Sequence, residues 1–144
     1  MPDMRVRVSA EAEGDTKTAV IARQFHLVVD EPPQLGGNDE GANPVEYVLT
    51  ALAGCLNVMG HVIAKEMGIE LRGLRIDIKG DLNPDKLFGK PTEDRAGFKG
   101  IQATMKPDCD ADEATLKAWL EAVESRCPVS DNLINPTPVS IVVK

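Results

Sequence analysis

The sequence predicts a mixed fold of strands and helices, one domain spanning residues 1–144. Three observations predict it. Several short stretches alternate polar and apolar residues at the period of two that a half-buried strand needs. One segment opening at Asn43 carries helix-start chemistry and then stays apolar as far as Met67. A later segment places Leu116, Trp119, Leu120 and Val123 at helical spacing, as an amphipathic helix does. A chain of 144 residues is long enough to bury a core of its own.

Residues 4–11 alternate and read as a first strand. Glu13-Gly14-Asp15 is a turn, and Thr16 to Val29 supplies a second strand and a third. The Pro/Gly-rich segment from Asp30 to Ala42 is a loop long enough to suggest function. Asn43 as N-cap, Pro44 at the first helical position and Glu46 at the third form a capping box. The helix they open is rich in small residues (Ala51, Ala53, Gly54, Gly60) and carries almost no charge before Lys65; Gly68 ends it. A helix apolar nearly all round is buried on most sides, here by a sheet and by a partner. Ile69 to Lys79 and Phe98 to Lys106 read as strands, joined by a polar loop. Asp110 with Glu113 suggests a second capping box, and Val139 to Val142 a closing strand.

With aromatic content at 3%, the core must be aliphatic. A net charge of −7 and the lack of a Lys/Arg cluster argue against a nucleic-acid partner. The N-terminus lacks a signal-peptide pattern, and no segment reads as membrane-spanning, so no membrane partner is expected and the expected compartment is the cytoplasm. There, three cysteines point to free or catalytic thiols rather than a disulfide framework.

Cys55 and Cys127 sit where chemistry would choose them. Cys55 shares a helical face with Val48, Ala51, Leu52, Val58, Met59 and Val62. Such a stripe is more often that of an inert core cysteine, and apolar burial raises a thiol's pKa unless a cation compensates. Arg23, in the N-terminal strands, is a candidate for that cation. Cys127 precedes Pro128, which makes it the N-cap of a short helix whose amides favour a thiolate; simple packing is the alternative. Cys109 lies among carboxylates and reads as an incidental loop residue. Glu46 could pair with a catalytic arginine, although the capping box already accounts for it. His61 lies off the face of Cys55, and His26 with Cys127 gives no zinc spacing, so no metal is expected. Gly36-Gly37 does not form a phosphate loop.

Three stretches together resemble the OsmC/Ohr family, the osmotically inducible and organic hydroperoxide resistance proteins. They are Asp30-Glu-Pro-Pro-Gln-Leu-Gly-Gly leading to Asn43-Pro44, the helix containing Ala51-Leu-Ala-Gly-Cys55, and Cys127-Pro-Val-Ser-Asp-Asn-Leu. The first is closest to generic OsmC-like members. The resemblance covers nearly the whole chain. It implies an α+β, OsmC-like fold in an intertwined homodimer, with two long central helices wrapped by antiparallel or mixed sheets. It also implies a cysteine-based peroxidase without a cofactor. Cys55 would be the peroxidatic thiol, Cys127 the resolving one, an organic or lipid hydroperoxide the substrate and a dithiol the reductant. One position departs from the family: the residue after Asn43-Pro44 is Val45, not the glutamate that holds the activating arginine, and Glu46 follows it. The family's arginine falls in the N-terminal strands, where Arg23 and Lys17 both qualify and Arg23 is better suited to a forked carboxylate contact. The other reading is a small-ligand-binding dimer that kept the cleft and lost the activating pair.

Overall fold

The computed structural model describes residues 1–144, which form two compact units, Met1–Val48 and Leu49–Lys144. In the first, β1 (Ser9–Ala12), β2 (Thr18–Ala22) and β3 (Phe25–Val29) make an antiparallel sheet in sequence order. Ala22 pairs with Phe25, so β2 and β3 join through the two residues Arg23 and Gln24. Arg23 takes a left-handed backbone (φ 56) there. The predicted first strand is therefore shorter than expected. Residues 4–8 alternate correctly but lie outside the sheet, with Met4, Val6 and Val8 exposed.

The loop after β3 is built around a buried charge. Asp30 is fully enclosed. One carboxylate oxygen accepts the Thr16 hydroxyl (2.6 Å) and the Glu31 amide (2.8 Å). The other accepts the amides of Asn38 (3.3 Å) and Glu40 (3.1 Å). Four donors on one carboxylate compensate its desolvation, so a segment without strands is nevertheless fixed. A short 3-10 turn, Pro33–Leu35, lies within it.

Helix α1 spans Pro44–Glu66 and starts as predicted. The Asn43 amide donates to Glu46 Oε1 (2.8 Å) and the Glu46 amide donates to Asn43 Oδ1 (2.9 Å), a complete capping box. At the other end, Ile69 N reaches back to Ala64 O (2.8 Å) and Gly68 N to Lys65 O (3.3 Å). Gly68 has φ 71, so this is the two-bond closure that a left-handed residue permits.

In the second unit, β4 (Gly73–Asp81) and β5 (Gly100–Asp108) pair antiparallel along their whole length. Both begin a few residues later than the alternation indicated; Arg72, just before β4, still donates its amide to Asp108 O (2.9 Å) at the end of β5. Its guanidinium is gripped by Asp108 (2.9 Å) and Asp110 (3.0 Å). That engagement also corrects the second capping box. The cap of α2 (Glu113–Arg126) is Asp112, which accepts the Thr115 amide, and Asp110 serves Arg72 instead. A short α3, Pro128–Ile134, follows. The expected closing strand is absent: Val139 to Val143 pair with nothing and are exposed.

The core of this unit is aliphatic, with one tryptophan. Leu52, Leu56, Ile63 and Ala64 of α1 bury with Trp119 and Val123 of α2 and with Cys127, against partly buried residues of β4 and β5. At 23 residues and a mean hydropathy of 1.6, α1 is long and apolar enough to cross a membrane, contrary to the sequence reading. Its apolarity has a use in the folded chain: one face of the helix forms this core. Of the face expected to be buried with Cys55, Leu52 is buried and Met59 packs against the core, whereas Val48, Ala51, Val58 and Val62 are exposed in the single chain.

Candidate redox site at two cysteines

The fold brings together two sulfurs that lie 72 residues apart in sequence. Cys127 Sγ donates to Cys55 Sγ across 2.9 Å, and both thiols are free. A disulfide bond is about 2.05 Å long, so closing the pair requires a movement of roughly 1 Å. Cys55 is held on the fourth turn of α1, one position before buried Leu56. Cys127 ends α2 and starts α3, and only 1% of its surface is exposed.

The junction behaves as an N-cap. With Pro128 at the first helical position, the Ser130 amide donates to Cys127 Sγ (3.4 Å). The amide of the adjacent Val129 bonds Cys55 and favours its anion. That effect is outweighed. Burial, together with the neighbouring Cys127 thiol, pushes the Cys55 thiol above its ordinary value. Within one chain the site is therefore arranged for a sulfur–sulfur bond and not yet for a strong nucleophile. Cys55 is the more accessible of the two thiols, Cys127 being buried.

The remaining sequence candidates lie in the N-terminal unit. Arg23, exposed at the β2–β3 turn, stacks its guanidinium on Phe25 at 5.0 Å and donates to Gln24 (3.4 Å). Glu46 closes the capping box. Among His, Cys, Asp and Glu, no group of three could hold a metal ion.

Two features were missed by sequence reasoning. The first is a groove of about 650 Å³ beside the core, lined by Leu52, Leu56, Phe98, Ile101, Met105 and Leu133 among others. Ser130, whose amide bonds Cys127, also faces it. The second is an ion pair at the end of α2, where Arg126 grips Glu66 with two nitrogens (2.6 and 3.2 Å). Phe98, Met105 and Leu133 are dispersed in sequence, so no local pattern could have announced the groove. The charges of Glu66 and Arg126 at their helix ends were readable, but not their meeting.

The profile of the OsmC-like protein family matches residues 36–142, most of the chain and all of this site. A relative named hydroperoxide reductase, from Mycoplasma pneumoniae, is 22% identical over 141 residues, 98% of this chain and 95% of that one. The crystal structure of an OsmC-like protein from Mycoplasma pneumoniae is similar with a TM-score of 0.80 at 21% identity, covering 94% of this chain and 91% of that one. An organic hydroperoxide resistance protein OsmC from Legionella pneumophila has a TM-score of 0.69 at 17% identity, covering 92% and 91%. At such identities the solved structures speak for the fold alone, which is α+β and OsmC-like. By the match to its profile, this chain belongs to the OsmC-like protein family.

Proposed function

We propose that the chain is a thiol-dependent peroxidase that reduces organic hydroperoxides through Cys55 and Cys127. The observation that carries the reading is the 2.9 Å approach of the two sulfurs. The names of the Mycoplasma and Legionella relatives support the same chemistry. In the first step the Cys55 thiolate attacks the distal peroxide oxygen. The O–O bond breaks, the alkoxide leaves and takes a proton to become an alcohol, and Cys55 becomes a sulfenic acid. Cys127 then attacks the Cys55 sulfur, the S–S bond forms, and the S–O bond breaks to release water. A dithiol reductant restores both thiols by exchange. The apolar side of the groove, with Leu52, Leu56 and Leu133, would take the organic group of the substrate. No cofactor takes part, and the reducing setting this cycle needs is that of the cytoplasm.

The working form is a homodimer. Support comes from the exposed apolar face of α1, where Val58 is 58% exposed, and from the unpaired apolar residues at both ends of the chain. Arg23 is the proposed activating cation and Glu46 its carboxylate partner, because the Cys55 thiol is raised in the single chain and needs a positive group to ionise at neutral pH. The same raised thiol favours the second reading, a ligand-binding dimer without turnover. The test is to treat reduced protein with cumene hydroperoxide and count free thiols, with and without Cys55→Ser. Loss of the paired thiols that the substitution abolishes supports peroxidase activity; no loss, or loss indifferent to the substitution, selects the second reading.

A further inference from the structure

We propose that the Arg126–Glu66 pair is a positioning clamp that holds Cys127 over Cys55 and so sets how fast the sulfenic acid is resolved; the proposal rests on reading the two cysteines as a redox pair. Adjacent residues grip α1 at two separate points. Cys127 meets Cys55, and Arg126 meets Glu66, eleven residues farther along the helix, or about 16 Å of axis. The contact with Glu66 is a fork-on-fork pair through both guanidinium nitrogens, the geometry that fixes direction as well as distance.

The end of α2 needs such a hold. At the end of α1, a left-handed glycine closes the last turn with two backbone bonds. At the end of α2, the cap residue is Cys127 itself, with φ −82 and ψ 110, an extended backbone that cannot form that closure. Trp119, Val123 and Cys127 itself are seated in the core, the first two lying two turns and one turn back from the sulfur. No glycine closure fixes the turn where α2 passes into α3, so the register of Cys127 against α1 rests on side-chain contacts. A small shift at that junction moves Cys127, because it is the next residue. The Arg126 side chain ties the junction to the end of α1.

The clamp therefore acts on the second chemical step and leaves the first alone. Peroxide attack is made by Cys55 of α1 with the proposed Arg23 and Glu46, and neither Arg126 nor Glu66 takes part in it. Disulfide closure requires Cys127 to stay within reach, so losing the clamp lowers the effective concentration of one sulfur at the other. The sulfenic acid then lives longer and meets a second peroxide molecule, giving a sulfinic acid.

The experiment compares wild type with Glu66→Gln, Arg126→Gln and the double charge swap Glu66→Arg/Arg126→Glu. The first arm equilibrates each protein with reduced and oxidised glutathione. Protein dithiol exchanges two electrons with glutathione disulfide, and the effective concentration of the pair is read from the fraction oxidised. The single variants are expected to lower it about two- to fivefold, the range of a half-exposed ion pair, and the swap to recover most of the loss. The second arm treats each protein with cumene hydroperoxide and reads the sulfenic-acid lifetime with a dimedone trap. In the single variants the lifetime lengthens by a similar factor, while the rate of the first oxidation, followed as loss of the Cys55 thiol, is unchanged. A pair that only stabilised the fold would lower the melting temperature without moving this partition. Wild-type effective concentrations in both single variants overturn the proposal. If the glutathione arm moves while wild type ignores peroxide, the clamp stands and the peroxidase reading falls.

Discussion

The indole N–H of Trp119 donates to the backbone carbonyl of Gly60 across 2.8 Å, joining α2 to the middle of α1. A methyl group at Gly60 would lie 3.0 Å from Leu74 and 3.1 Å from the Trp119 ring. Glycine thus lets α1 approach both β4 and α2, at some cost in helix propensity.

That contact predicts the effect of Gly60→Ala. Alanine regains up to about 1 kcal/mol of helix propensity, but overpacking costs about 1–3 kcal/mol where the neighbour cannot yield. Trp119 is buried and tied by its hydrogen bond, so overpacking wins. The expected outcome is a net loss on the order of 1 kcal/mol, checked by urea unfolding. A variant at least as stable as wild type would show that Leu74 and Trp119 adjust freely.

Asp30 predicts an acid-sensitive loop. Its carboxyl is held down at about 2 by the Thr16 hydroxyl, then by the amides of Glu31, Glu40 and Asn38, with burial opposing them. A lowered folded pKa stabilises the fold fully above the ordinary value of 3.8, and this contribution is lost as pH falls toward about 2. Asp30→Asn should therefore melt lower than wild type near neutral pH, with the difference shrinking between about pH 4 and 2. A difference independent of pH would locate the effect in packing alone.

The activating role of Arg23 predicts a pH profile. Thiolate is the reacting form, so with a thiol above its ordinary value the rate climbs with pH through the neutral range. Arg23→Gln should move that climb to higher pH and slow cumene hydroperoxide reduction at neutral pH about tenfold, the effect of one pKa unit. Arg23→Gln with a wild-type profile would remove Arg23 from the mechanism.

The open face of α1 predicts assembly. Val58 and Val62 are 58% and 38% exposed on a helix that otherwise serves the core. Val58→Lys should shift the species seen by sedimentation from dimer to monomer at micromolar concentration. A dimer indifferent to this charge would have to form elsewhere.

Much of this architecture was written locally. Asn43, Pro44 and Glu46 announce the start of α1, and Cys127-Pro128 announces α3, because capping depends on residues a few positions apart. Strand partners are not local, and there the sequence misled. Val139 to Val142 alternate as a strand does, yet Ile141 is 90% exposed with no neighbouring strand in the single chain. Asp110 and Asp112 are equally good caps on paper; a distant Arg72 takes the first. The two cysteines could be singled out by setting, but their contact depends on how α2 seats on α1 through Trp119. Asp30 looked like the start of a loop because its donors are mostly backbone amides, which have no residue identity to read.

The most direct test of the paired-sulfur mechanism is peptide mapping under non-reducing conditions after a stoichiometric dose of cumene hydroperoxide. The account predicts one linked peptide joining Cys55 to Cys127, with Cys109 still a free thiol. Peroxide-treated protein with both sulfurs still reduced, or with Cys109 in the bond, would contradict it.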